Sequence, residues 1–155
     1  MHLSIPGFGT LDIEHVVLDF NGTIAEDGEL LPGVAERMRR LAETMDVVVI
    51  TADTHGTCAQ KLAGLPCRID VIKPGDEARA KLDHVQSIGA AHCAALGNGA
   101  NDTLMLEACA LGIAVMQAEC ACARAVTAAD MVATDICHGL DLLLKPARLL
   151  AGLRS

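Results

Sequence analysis

HVVLDFNGTIA, residues 15–25, decides how this chain is read. Its first half, HVVLDF (15–20), is a β-branched apolar run of the kind buried on both faces of a parallel sheet. The run ends in Asp19, a carboxylate that would be costly there without a compensating partner. Gly22 then frees the chain to turn, so that backbone N–H groups near Thr23 can converge on an anion.

Working outward, DVVVIT (46–51) repeats the apolar pattern, and CRIDVI (67–72) and AHCAAL (91–96) are further strand candidates. Helical patterns alternate with them: one begun by Pro32 and running to about Thr44, one over 55–63, one over 76–88, and NDTLMLEACA (101–110). In the third, Ala78, Leu82, Val85 and Ile88 fall at helical spacing. GIAVM, DMVAT and two helical segments parted by Pro146 complete the chain. HLSI and TLDI around Pro6-Gly7-Phe8-Gly9 predict a β-hairpin over 2–13. This alternation predicts an α/β fold, a Rossmann-like three-layer sandwich around a central, mostly parallel sheet with an N-terminal hairpin. One domain over 1–155 is expected: hairpin 2–13, catalytic core 15–134 and C-terminal helices 135–153.

Composition narrows the chemistry. The 155 residues hold only two aromatics, Phe8 and Phe20, so there is no stacking platform for single-stranded nucleic acid. A net charge of −8 disfavours nucleic acid and anionic membranes as partners. No apolar run approaches the length that spans a bilayer, and no leader is recognisable, so a cytoplasmic location is expected. Seven cysteines, an odd number, fit reduced thiols better than a disulfide framework. Cys120, Cys122 and Cys137 match no standard zinc spacing.

In parallel sheets ligands bind at the carboxyl ends of strands. That rule selects Asp19–Thr23, Thr51–Asp53 and Gly97–Asp102, each polar where a structural loop need not be. Together they offer what phosphoryl transfer requires: a nucleophile in Asp19, a hydroxyl in Thr51, a cation in Lys81, and oxygen ligands for a hard cation in GNGAND (97–102). Other readings stand beside these. Asp53 and Asn101-Asp102 could cap the helices that follow them, and Lys81 could be a solvated helix charge. His55, His84, His92 and His138 lack metal-ligand spacing. Glu26-Asp27-Gly28-Glu29 is read as a solvated loop beside the site that could bias substrate charge.

The order DFNGT, TAD, a lysine, then GNGANDTLML resembles the haloacid dehalogenase (HAD) superfamily, and within it the phosphorylation domain of P-type ATPases, which carries DKTGT, TGD, a lysine and GDGxND. PGDEARAKLDHVQ, LGIAV and AADMV extend the likeness over about residues 15–134. The resemblance implies a capless HAD-like fold and Mg2+-dependent chemistry on a small phosphorylated substrate through an aspartyl-phosphate. Asp19 resembles the residue that is phosphorylated, Thr51 the phosphoryl-binding hydroxyl, and Lys81 the charge-neutralising lysine, with Lys73 a weaker candidate. The implied Mg2+ ligands are Asp19, the Asn21 carbonyl, Asn98 and Asp102. Phe20, Gly22, Thr23, Ala52, Asp53 and Asn101 complete the expected phosphate-binding set.

Two departures qualify the likeness. Asn21 stands where the superfamily's phosphatases carry an acid/base aspartate, and it has no proton to exchange. Asn98 stands where they carry a metal-binding aspartate. An active enzyme would then favour acyl phosphates or other good leaving groups, and the alternative is a weakly active phosphate- or metal-binding regulatory module. The intervals between motifs have no room for a cap or nucleotide-binding domain, so an open site is expected. Small capless relatives shield such sites by homo-oligomerising, here through the hairpin or LLLKPARLLAGLR. The likeness alone also raises a link to a metal-transport system.

Overall fold

A computed structural model describes residues 1–53, 56–73 and 75–155. The chain opens with the expected antiparallel hairpin, β1 (His2–Ile5) and β2 (Gly9–Asp12). β3 (His15–Asp19) follows, then a second, smaller hairpin of β4 (Ala25–Glu26) and β5 (Glu29–Leu30). Its Asp27-Gly28 turn has φ of 50° and 78°, the left-handed pair that a tight Asp-Gly hairpin turn requires. The acidic stretch read as a solvated loop is therefore an ordered hairpin. The remaining elements are α1 (Val34–Leu41), β6 (Asp46–Thr51), α2 (Cys58–Lys61), β7 (Arg68–Val71), α3 (Glu77–Ile88), β8 (Cys93–Gly97), α4 (Thr103–Ala108), β9 (Leu111–Val115), α5 (Ala123–Ala128), β10 (Met131–Ala133), α6 (Ile136–Leu144) and α7 (Pro146–Leu153).

Several boundaries differ from the sequence reading. α1 starts after Gly33 as N-cap, two residues past Pro32. α2 is a single turn, and of the helix expected over 55–63 its first residue, His55, lies outside the described residues, as does Pro74. Residues 90–92 and 100–102 are 3-10 turns that take the starts of the segments expected as a strand and a helix. α5 is an addition, in a stretch with no clear sequence pattern.

The six-stranded sheet has the order β10-β9-β8-β3-β6-β7 and is parallel throughout. Alternate residues of its strands enter opposite cores, as a pleated strand dictates. Val16, Leu18, Val47 and Val49 pack with Met38 of α1 and Leu140 of α6. Val17, Val48 and Ile50 pack on the other face with Val85 of α3, Met105 of α4 and Ala125 of α5. The result is the expected three-layer α/β sandwich with its N-terminal hairpin. With two phenylalanines in the chain, this packing rests on aliphatic and sulfur side chains. No described helix is long and apolar enough to cross a membrane.

An ion cluster around one buried carboxylate ties the helices of one face together. Arg37 Nε of α1 donates to Asp141 Oδ1 of α6 at 2.8 Å, while Lys145 Nζ lies 2.9 Å and Arg148 Nη1 3.5 Å from Asp141 Oδ2. Burial alone would raise the Asp141 carboxyl, but the hydrogen bonds from Lys145 and Arg37 outweigh it and hold the group below its ordinary value. The native state therefore binds fewer protons than the unfolded chain below about pH 4, and the stabilisation is present above that pH and lost as acidity rises. Asp141→Asn is expected to cost about 1–3 kcal/mol at neutral pH, a gap that closes toward pH 3. Urea denaturation of both forms across that range checks it.

Candidate active site

β3 lies in the middle of the sheet, with β6 and β7 added on one side and β8, β9 and β10 on the other. The order of strand addition thus reverses between β3 and β8, and the crevice outside their carboxyl ends is the switch point at which such sheets bind ligands. Asp19 ends β3, Thr51 ends β6 and Gly97 ends β8. Between them opens a cavity of about 290 Å3. Asp19, Asn21, Thr51 and Ala52 line one side of it, with Asn98, Gly99, Asn101 and Glu77 on the other. A hollow of about 360 Å3 at the amino ends of β6 and β7 is larger, but it gathers Ala42, Met45, Pro66 and Cys67 with one Asp and one Arg and no comparable constellation.

Behind Asp19, below the cavity, a single cation joins two carboxylates. Lys81 Nζ, from α3, lies 2.6 Å from Asp19 Oδ1 and 2.6 Å from Asp102 Oδ1. Lys81 is 1 % exposed, Asp102 0 % and Asp19 7 %. The solvated-charge reading of Lys81 is thereby replaced: the helix carries the ammonium inward. Burial and the charge of Asp102 push the Asp19 carboxyl up to about 6, against the lowering effect of Lys81. Burial would lower Lys81, yet its two carboxylate partners hold it above its ordinary value. One positive charge against two negative ones leaves this buried cluster one unit negative.

That imbalance bears on whether the site could hold a cation. Asp19, Asn21 and Asn98 present oxygen donors at the cavity, and no thiol or imidazole lines it among the described residues. Such a set suits a hard divalent ion such as Mg2+, whose charge would offset the excess. Asp102 is placed differently. Its Oδ2 accepts from the backbone N–H of Asn98 at 2.9 Å and of Gly99 at 2.8 Å, and its Oδ1 is taken by Lys81. It does not line the cavity. Asp102 thus folds the GNGAND loop back on itself and anchors Lys81, and a Cβ at Gly97 would come 2.4 Å from its carboxyl carbon.

The loop after β3 is fixed from several directions. Thr23 Oγ1 lies 3.1 Å from Asp19 Oδ2 and 3.2 Å from Asn98 Oδ1. Gly22 has φ of +76°, and a Cβ there would meet the Asn98 amide at 2.3 Å, so this position has no room for a side chain. The Gly22 N–H donates to the Ala25 carbonyl at 2.8 Å and the Thr23 N–H to Phe20 at 3.3 Å. The expectation that these amides converge on an anion is therefore corrected: they close the loop internally. Phe20 buries its ring in the core and does not line the cavity, contrary to its expected place in the phosphate-binding set.

Thr51 and Ala52 reach the cavity as expected. Thr51 Oγ1 accepts from the Asp53 N–H at 3.0 Å, which leaves its own proton available. Asp53 itself caps the start of α2, its Oδ1 accepting from Thr57 and Cys58 at 3.0 and 3.1 Å, and it does not line the cavity. Asn101 lines it with its amide turned to Glu77, 2.8 Å away. Lys73 lies beyond β7, two strands from β3, outside the cavity.

Two residues escaped the sequence reading. Glu77 stands one helical turn before Lys81, and a helix that carries Lys81 inward carries Glu77 on the same side. That spacing was a usable signal. Gln117 had none beyond its place at the carboxyl end of β9. Its Nε2 donates to the carbonyls of Thr23 at 2.7 Å and Gly22 at 3.1 Å, while Oε1 accepts from Ile136 at 3.0 Å. One side chain thus clamps the loop after β3 to the start of α6.

No protein-family model matches the chain. It is 37% identical over 92 residues to an uncharacterized protein of Methanocaldococcus jannaschii, covering 57% of this chain and 99% of that one. A second uncharacterized protein of the same organism is 46% identical over 39 residues, 25% of this chain and 89% of that one. Among solved structures, 3-deoxy-D-manno-octulosonate 8-phosphate phosphatase from Moraxella catarrhalis, in complex with magnesium ion, phosphate ion and KDO, superposes with a TM-score of 0.72 at 16% identity, covering 90% of each chain. The cobalt-bound form of the corresponding phosphatase from Haemophilus influenzae gives 0.72 at 16% identity, over 93% of this chain and 94% of that one. The enzyme from Yersinia pestis gives 0.70 at 15% identity, over 98% and 96%. At these identities the likeness is one of fold.

The buried cluster makes opposite predictions for its members. The raised carboxyl of Asp19 means that the native state binds more protons than the unfolded chain between about pH 4 and pH 6, so ionising Asp19 lowers stability across that window. Asp19→Asn should therefore leave stability unchanged or increased at neutral pH without divalent ions. Lys81→Met strands two buried carboxylates and should cost about 3–5 kcal/mol. Urea denaturation in chelator-treated buffer checks the order; a more stable Lys81→Met than Asp19→Asn would contradict it.

Proposed function

We propose a function for a chain that belongs to the same family as the two uncharacterized Methanocaldococcus jannaschii proteins: it is a Mg2+-dependent phosphohydrolase that works through an aspartyl-phosphate on Asp19. The observation that carries this reading is the Lys81 bridge between Asp19 and Asp102 beneath an oxygen-lined cavity at the switch point of the sheet. The fold shared with sugar-acid phosphatases supports it. The order of motifs shared with the phosphorylation domain of P-type ATPases supports the covalent step.

In this reading an Asp19 carboxylate oxygen attacks phosphorus, the P–O bond to the leaving group breaks, and water then cleaves the acyl phosphate to regenerate the carboxylate. Lys81 holds the carboxylate oriented and offers positive charge to the transferring group. Thr51 donates its hydroxyl proton to a non-bridging oxygen. Asp19, Asn98 and the Asn21 carbonyl would hold the Mg2+, which neutralises charge that develops on the phosphoryl oxygens. Asp102 and Gln117 act as positioning residues, one for Lys81 and the GNGAND loop, the other for the loop after β3.

Asn21 lines the cavity where a proton donor to the leaving group would stand, and an amide cannot supply one. Acyl phosphates and other substrates with good leaving groups fit this site better than alkyl phosphates. The same residue favours a second reading, a phosphate-binding module with little turnover.

Acetyl phosphate hydrolysis with Mg2+ should be lost in Asp19→Asn and on chelation, and restored by Mg2+. Full activity in Asp19→Asn refutes the assignment, and phosphate binding without turnover in the native chain selects the second reading. Asn21→Asp should raise alkyl phosphate hydrolysis by about 10²–10⁴, the usual worth of a general acid; an unchanged rate would refute the missing-acid argument.

A further inference from the structure

Glu77 is a carboxylate in the cavity wall that the proposed chemistry leaves unused. It begins α3, one turn before Lys81, and its Oε2 accepts from the Asn101 Nδ2 at 2.8 Å. That contact fixes the side chain beside the cavity and leaves Oε1 for a ligand. No lysine, arginine or histidine lines the cavity among the described residues. Lys81 is fully buried and divided between Asp19 and Asp102. Arg79, the cation nearest to Glu77 along α3, pairs with Asp83.

The β4–β5 hairpin, in the segment that follows β3, carries Glu26, Asp27 and Glu29. It is pinned on one side by the Asp27 N–H donating to Glu119 Oε1 at 2.9 Å, and on the other by the ion pair of Glu29 with Lys61 of α2. Lys61 offsets Glu29, which leaves Glu26, Asp27 and Glu119 in excess. A bound Mg2+ would balance the phosphoryl group, but the rest of a substrate would meet Glu77 in the cavity wall.

Resting on the phosphohydrolase reading of the same site, we propose that Glu77, held by Asn101, selects phosphorylated compounds whose remaining part carries a positive charge, such as an ammonium group. A second negative charge on the substrate is repelled by the same carboxylate. One unit charge a few ångströms away in a partly solvated site is worth about tenfold in affinity. Glu77 is a specificity residue in this account: it moves no proton and forms no bond to phosphorus.

The test compares two non-hydrolysable phosphonates by calorimetry with Mg2+ present, 2-aminoethylphosphonate and 3-phosphonopropionate, on the native chain, Glu77→Gln and Glu77→Lys. The native chain should prefer the aminophosphonate by about tenfold or more. Glu77→Gln keeps an acceptor for Asn101 and should bring the ratio close to one, and Glu77→Lys should invert it. An inversion is not something a structural role for Glu77 would produce. A native chain that binds neither compound, shows no preference, or keeps its preference in both variants overturns the proposal. Acetyl phosphate turnover is scored separately: turnover without charge preference removes only the selectivity, and charge preference without turnover removes only the hydrolase reading.

Discussion

Lys81 sits where three parts of the chain must agree. Its ammonium, buried between Asp19 and Asp102, links α3 to the ends of β3 and β8. A lone ammonium or a lone carboxylate would be expensive at that depth, and neither carboxylate could remain without the lysine. The two carboxylates therefore depend on the lysine between them. Once Lys81 holds Asp102, the second oxygen of Asp102 can gather the N–H groups of Asn98 and Gly99, which shapes the GNGAND loop. Asn98 in turn meets Thr23 and the bare face of Gly22, which sets the loop after Asp19.

The cluster also explains why the site is poised for a cation. With two carboxylates and one ammonium it is one charge short, and burial together with the charge of Asp102 raises the Asp19 carboxyl. A divalent cation bound beside the two carboxylates would offset that excess. In the proposed reading, function and stability pull against each other at Asp19, as is common where a buried charge is kept for chemistry.

Much of this was legible in the sequence, for a physical reason. Strands buried on both faces must be nearly all apolar, so HVVLDF and DVVVIT declared themselves, and a polar residue at such a strand's end is conspicuous. Asp19, Thr51 and GNGAND were found that way, and their order carried the family likeness. What stayed hidden depended on distance in space. Gln117 is an ordinary polar residue until the fold brings it against the carbonyls of Gly22 and Thr23. The Gly22 and Thr23 amides looked available for an anion because their partners, Ala25 and Phe20, act through backbone carbonyls that no side-chain pattern reports. Asp102 read as a metal ligand by motif, and the sequence did not show that its oxygens also accept from Lys81 and from the N–H groups of Asn98 and Gly99. The acidic hairpin was missed although its Asp-Gly turn was in plain view, because two-residue strands leave no periodicity.

Mapping the covalent intermediate tests the central claim most directly. The protein would be mixed with acetyl phosphate and Mg2+, quenched in acid, reduced with borohydride, and its peptides sequenced by mass spectrometry. An acyl phosphate on the proposed nucleophile would appear as homoserine at position 19, dependent on Mg2+ and on Lys81. Turnover with no reducible adduct, or an adduct on any other residue, would contradict the account.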